Sequence, residues 1–226
     1  MRGSGSSLHA LARRWVAQTP ALSGVVLPSG VVGSDHLIEE LGGIAFHLRP
    51  ETFFQVNVAS ASALLREARA GLELKGQERL IDLYCGAGAF TLPLARSVAE
   101  VVGVEEYAGA VADAEATATA NEISNTRFLV GPVERVLSTL NEQFDGVLMD
   151  PPRRGAHPQA LAELIRLAPP RIVYVSCHPG TLARDLKILT EGGYQIKRVQ
   201  AVDLFPQTPH VESVTVLVHS SAAIDN

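Results

Sequence analysis

The chain has 226 residues, 46% of them hydrophobic and 19% charged, with a formal net charge of -5. That length holds one α/β domain with a full core plus a small appendage, and the charge argues against a globally basic surface while leaving room for a local basic patch. Two cysteines, Cys85 and Cys177, are too few for a secreted disulfide framework or for a zinc or iron–sulfur site made of cysteine alone, so no metal is expected.

Residues 1–7 lack the apolar core of a signal peptide and read as a flexible leader. No apolar run reaches membrane-spanning length, and a cytoplasmic, monomeric protein is expected. Residues 8–17 carry Leu8, Leu11, Ala12 and Trp15 at helical spacing. Between residues 24 and 48 the pattern turns to short β segments (25–27, 31–32, 36–41 and 44–48), with Leu41-Gly-Gly-Ile44 as a hairpin turn. Residues 8–50 are therefore expected to form a small β appendage, the remnant of a larger domain, and residues 51–226 the main domain.

A helix is expected over residues 57–72 and a first core strand over 79–84. Helices over 90–98, 108–121, 133–140, 158–167 and 182–191 then alternate with strands over 100–104, 126–130, 144–149, 171–176 and 194–203, and 211–219 closes the chain as a strand. Such alternation predicts a doubly wound, mostly parallel α/β sheet. The last two strands have no helix between them, which predicts an antiparallel edge hairpin.

Asp82-Leu-Tyr-Cys-Gly-Ala-Gly88 follows a strand and precedes a helix, and Gly86 and Gly88 permit a tight turn and close approach to a ligand. Thr91 stands where a dinucleotide fingerprint has its third glycine, which argues against a pyrophosphate cofactor. The second strand runs into Glu105, an acid suited to a ribose diol. Together with the Asp150-Pro-Pro strand end, these features fit S-adenosylmethionine. Cys85, inside the turn, reads as a small buried residue.

Cys177 ends the run Ile172-Val-Tyr-Val-Ser-Cys177, at the carboxyl edge of the sheet, where ligands of open α/β folds bind. A helix start and Arg184 nearby would lower its pKa; by itself the residue could equally be a packed strand-end cysteine. Arg153, Arg154, Arg171 and Arg184 gather near this site in sequence, although Arg171 and Arg184 also read as ordinary surface arginines. The polar loop over residues 203–213 brings His210 and Glu212 to the same edge, and Phe53-Phe-Gln-Val-Asn57 adds aromatic rings and an amide.

Phe53-Phe-Gln-Val-Asn57, Asp82-Leu-Tyr-Cys-Gly-Ala-Gly88, Asp150-Pro-Pro-Arg-Arg-Gly155, Tyr174-Val-Ser-Cys-His-Pro179 and Pro209-His-Val-Glu212 occur in that order. This set resembles the RNA 5-methyluridine (uracil-C5) methyltransferase family, in the class I S-adenosylmethionine-dependent methyltransferase superfamily, with its seven-stranded Rossmann-like sheet. The resemblance implies methyl transfer to C5 of a uridine in tRNA or rRNA. It implies Cys177 as the nucleophile that attacks C6, and Glu212 as the base that removes the C5 proton. Gln55, Tyr84, Gly86, Gly88, Glu105 and Asp150 are then the expected cofactor contacts. Phe53, Phe54, Arg153 and His210 are the expected substrate contacts, with one of the two phenylalanines stacking on a base out of its helix and the other packing in the core.

The chain departs from the family at Ala89, where relatives often have asparagine, and at Gly131-Pro132, where many offer a polar residue to the adenine. Many relatives carry an amino-terminal RNA-binding β-barrel and a four-cysteine iron–sulfur cluster, neither of which is in this sequence. The expectation is a catalytic domain with a piece of the central domain. A cytosine-C5 RNA methyltransferase and a non-catalytic cofactor- or RNA-binding fragment are the alternatives, the first disfavoured by the Pro209-His-Val-Glu212 base.

Overall fold

The computed structural model describes residues 5–55, 57–208 and 210–221. The expected leader lies outside these residues as far as Ser4, as do Val56 and Pro209 within their motifs. The chain opens with helix α1 (Gly5–Gln18), which begins earlier than its apolar periodicity suggests. It packs on the hairpin of β1 (Gly24–Leu27) and β2 (Gly30–Gly33). A second hairpin, β3 (Leu37–Leu41) and β4 (Ile44–Leu48), turns at Gly42 and Gly43 as expected, both with positive φ.

The main sheet has seven strands. Its first strand in the chain, β5 (Arg79–Leu83), follows helix α2 (Val58–Leu72), whose first turn is capped by the Asn57 side chain. After β5 come α3 (Thr91–Ala95), β6 (Glu100–Glu105), α4 (Ala108–Ala120) and β7 (Thr126–Val130), which build one wing. The chain then crosses back through α5 (Val133–Thr139) to β8 (Gly146–Met149), α6 (Pro158–Leu167) and β9 (Arg171–Ser176) on the other side of β5. Helix α7 (Pro179–Glu191) leads to β10 (Tyr194–Val202) and β11 (Glu212–His219). The strand order is β10-β11-β9-β8-β5-β6-β7.

β10 and β11 do form an antiparallel hairpin, but β11 inserts between β9 and β10 and is antiparallel to both. The last strand of the chain is therefore internal, and β10 is the edge. This placement agrees with burial: β11 is mostly buried along its length, whereas β10 is mostly exposed.

Alternate strand residues feed two separate cores, as a sheet covered on both faces requires. Leu80, Val101 and Val173 face the layer of α2, α3 and the β3–β4 hairpin. Ile81, Val102 and Ile172 face α5, α6 and α7. Ile44, Phe46 and Leu48 of β4 belong to the first core, and β4 is tied to α4 by Ala45 N–H donating to Asn121 Oδ1 (3.2 Å) and His47 N–H to Thr117 Oγ1 (3.1 Å). The shared core thus runs across the division expected at residue 50.

Two elements are shorter than their patterns suggest. α3 stops at Ala95, where Ser97 N–H closes a turn on Leu94 O (2.9 Å), rather than running to residue 98. Phe144 precedes β8 as a buried plug beneath the Arg79 guanidinium (5.8 Å to the ring centre), so it behaves as core without belonging to a strand. α7 is longer than expected because Pro179, which lacks an N–H, fits its first turn and His178 Nδ1 caps Thr181 N–H (3.2 Å). Among the described residues, no helix is long and apolar enough to cross a membrane.

Candidate active site

Strand order reverses between β5 and β8: successive crossovers go one way from β5 and the other way from β8. Loops at the carboxyl ends of neighbouring strands separate at such a point and leave a crevice. A cleft of ≈ 1130 Å³ opens there. Tyr84 and Gly86 come from the end of β5, Glu105 from β6, Asp150 and Arg153 from β8, and Cys177 from β9. Phe53, Gln55, His210 and Glu212 complete the set from outside these crossovers.

The turn after β5 is held by the acid at the end of β6. Glu105 accepts Gly86 N–H with one oxygen (3.0 Å) and Tyr107 N–H with the other (2.8 Å). Both oxygens are thereby oriented while lone pairs remain for ligand hydroxyls. A side chain at Gly86 would project into open space, so its absence keeps that floor of the cleft clear. Tyr84 adopts a left-handed φ of 63°, and its buried hydroxyl meets no partner at hydrogen-bond geometry among the described residues. An orphaned polar atom and a fixed carboxylate suit a polar nucleoside ligand better than a dry core. Gly88 does not line the cleft; it lies behind the turn, against Leu92, where a side chain would press at 3.1 Å. Tyr107, 52% exposed, is a lining residue that the motifs did not flag; an aromatic two places beyond the strand-end acid was the available signal.

Carboxylates crowd the centre of the site. Asp82 is buried on β5, accepts the Thr91 hydroxyl at 2.6 Å, and has no partner for its other oxygen among the described residues. Burial pushes its pKa up to about 7, against the Thr91 hydrogen bond. Asp150 is pushed up to about 8, by burial first and then by Glu212 and Asp82. Glu212 is 6% exposed; burial raises its pKa and Arg153 opposes the rise.

Cys177 is half-buried, and its thiol is shifted upward, not downward as its place before a helix suggests. Burial dominates, Glu212 and Asp150 add to it, and Arg153 opposes it. Arg184 does not supply the expected positive charge, because its guanidinium is paired with Asp185 at 2.7 Å. Arg171 lies at the far end of β9, bonded to Gly71 O (3.2 Å) and Glu73 (2.5 Å). Cys85 is buried, as expected, and burial raises its pKa well above the ordinary thiol value.

The two aromatic candidates separate cleanly. Phe53 is 76% exposed at the mouth of the cleft. Phe54, the other candidate substrate contact, is the one that packs inward: it lies on Phe46 with ring centres 4.9 Å apart, partly buried against the core. His210 stands edge-on to Phe205 at 6.2 Å, and both rings line the cleft; Phe205 was not anticipated.

This strand order, with its single reversed strand beside the edge, defines a class I methyltransferase fold, and the cleft occupies the position where such folds bind ligands. A family model described as tRNA (uracil-5-)-methyltransferase matches residues 35–220, and the chain belongs to that family. Relatives include an RNA methyltransferase of Nostoc sp., 41% identical over 99% of this chain and 52% of its own length. Another, from Thermosynechococcus vestitus, is 44% identical over 84% of this chain and 42% of its own. The chain spans about half the length of the curated relatives it matches. Among solved structures, Pyrococcus abyssi tRNA (uracil-54, C5)-methyltransferase, in complex with S-adenosyl-L-homocysteine, is 35% identical with a TM-score of 0.74, covering 83% of this chain and 45% of that one. Trm5b of the same organism (14% identity, TM-score 0.66, 95% of this chain and 69% of its own) shares the fold alone.

Proposed function

We propose that this chain is the catalytic part of an S-adenosylmethionine-dependent RNA methyltransferase that modifies C5 of a uridine in tRNA or rRNA. The observation that carries this reading is the meeting of a half-buried thiol, Cys177, and a buried carboxylate, Glu212, in one cleft beside the Gly86–Glu105 turn. Family membership and the likeness to a tRNA uracil-C5 enzyme support it.

S-adenosylmethionine, when bound, supplies an electrophilic methyl group. Glu105 would accept the ribose hydroxyls, and Gln55, Tyr84 and Asp150 would hold the remaining polar edges of cofactor and base. Cys177 as thiolate adds to C6 of the uracil ring; the C5–C6 π pair moves to make C5 the nucleophile. Once C5 is methylated, Glu212 takes the C5 proton, the C5–C6 double bond re-forms and the C6–S bond breaks, returning the thiolate. Arg153 faces charge developing on the ring or an RNA phosphate. Phe53, exposed at the mouth, offers a stacking surface for a base drawn out of its helix. Such work on RNA fits a monomer in the cytoplasm.

The test is trapping on RNA that carries 5-fluorouridine. Fluorine at C5 cannot leave as a proton, so a denaturation-stable protein–RNA complex accumulates with the wild type, and Cys177→Ala prevents it. Running tRNA and rRNA in parallel identifies the substrate. Full turnover by Cys177→Ala would defeat the proposal.

A further inference from the structure

Asp185 is fully buried at 0% exposure, yet nothing in the reaction above uses it. Its carboxylate accepts Ala156 N–H (2.8 Å), the Tyr174 hydroxyl (2.7 Å) and Arg184 Nε–H (2.8 Å). Arg184 in turn donates to Arg154 O (3.1 Å) and Ala156 O (3.2 Å), and the Thr181 hydroxyl donates to Arg153 O (3.2 Å). All three side chains project from α7, and all these loop contacts fall on residues 153–156. Gly155 seals the fit: its φ is 78°, and a side chain there would stand 2.5 Å from the Arg184 guanidinium and 2.6 Å from Asp185 Oδ2. The Asp150-Pro-Pro-Arg-Arg-Gly155 loop is therefore clamped from beneath by the helix that starts just after Cys177.

The clamp matters because of what the loop carries. Cys177 shares its cleft with Glu212 from β11 and Asp150 from the end of β8, and both oppose a thiolate. Arg153, on the clamped loop, lines the same cleft as Cys177 and Glu212, and its positive charge favours the ionised form of each. Its side chain is exposed, so its position depends on its backbone. We infer that Asp185 and Arg184 are positioning residues of the reaction: they fix the loop so that Arg153 stays in the cleft that Cys177 and Glu212 also line. This deepens the uridine-C5 reading and rests on it for the role of the thiol.

The sign of one substitution separates positioning from a direct charge effect. Asp185→Asn removes an anion, which by simple electrostatics would favour the thiolate. Loss of the clamp would instead let Arg153 drift and disfavour it. The experiment measures alkylation of Cys177 in the free protein by iodoacetamide, quantified on its peptide by mass spectrometry across pH. Asp185→Asn is expected to slow alkylation about threefold at neutral pH, equivalent to roughly half a pH unit. Arg184→Lys, which keeps the charge but loses the planar fork, is expected to act in the same direction. Neither substitution should slow the reaction further in an Arg153→Gln background.

Unchanged or faster alkylation, with only a lowered melting temperature, would mean that the cluster is structural packing and would overturn the inference. Should Asp185→Asn fail to fold, Arg184→Lys, at a half-exposed side chain, decides by the same criterion. Because alkylation needs no RNA, a wild type that traps no 5-fluorouridine RNA would sink the uridine reading without touching this result.

Discussion

Cys177 and Glu212 flank the last pair of the β9–β11 ladder, Ser176 with Ser213: one follows Ser176 and the other precedes Ser213. The proposed nucleophile and the proposed base thus sit at the same end of two neighbouring strands, and Glu212, the first residue of β11, is buried while Cys177 is half-open and lines the cleft.

If the two groups divide the work as proposed, Glu212→Gln should stop the reaction after methylation. The variant is expected to lose about 10²- to 10⁴-fold in turnover, the usual weight of a general base. It should also accumulate a covalent complex on ordinary RNA, without fluorine. Gel electrophoresis under denaturing conditions with labelled RNA reads both; undiminished turnover would assign the proton to another group.

The raised thiol predicts the pH dependence of reactivity. Its folded value lies above the ordinary thiol value of 9.0, because burial, Glu212 and Asp150 all disfavour the thiolate. Alkylation of Cys177 in the free protein should still be climbing at pH 9. A plateau near pH 7 would show that the site activates the cysteine before RNA arrives.

Asp150 makes a stability prediction of defined sign. Its carboxyl is held at about 8 against an ordinary 3.8, so the folded protein keeps a proton that the unfolded chain has released. Stability therefore falls as pH rises from about 4 to about 8, within that window. Asp150→Asn removes the ionisation: its melting temperature should nearly match wild type near pH 4 and exceed it by about 10 °C or more at pH 8.5. Calorimetry or circular dichroism across pH checks this, and a constant difference would contradict it.

Neighbouring phenylalanines should fail in different ways. Phe53→Ala removes an exposed ring and is expected to weaken RNA binding by about 1–3 kcal/mol while leaving the melting temperature alone. Phe54→Ala opens the contact with Phe46 and should cost about 2–3 kcal/mol of stability, the lower end of such losses because the ring is half-buried. RNA titration and urea unfolding of both variants make the comparison.

Local pattern carried most of the architecture. The apolar run Ile172–Val175, the apolar residues on either side of Asp82 and the glycines after Tyr84 are properties of short segments, as is the acid at position 105. They are legible because side-chain period and turn chemistry act over a few residues. Gly88 shows the limit of that reading: its place in a motif did not reveal that it lies behind the turn, against Leu92.

What the amino-acid sequence by itself determined was the alternation of strands and helices and the delivery of Cys177, Asp150 and Glu105 to strand ends. The tertiary structure alone decided that β11 inserts beside β9, that Phe54 rather than Phe53 joins the core, that Arg184 is spent on Asp185, and that the thiol is pushed up rather than down. Strand register, burial and the field at a sulfur atom are sums over residues far apart in the chain, and they take their values only when the sheet has closed around them.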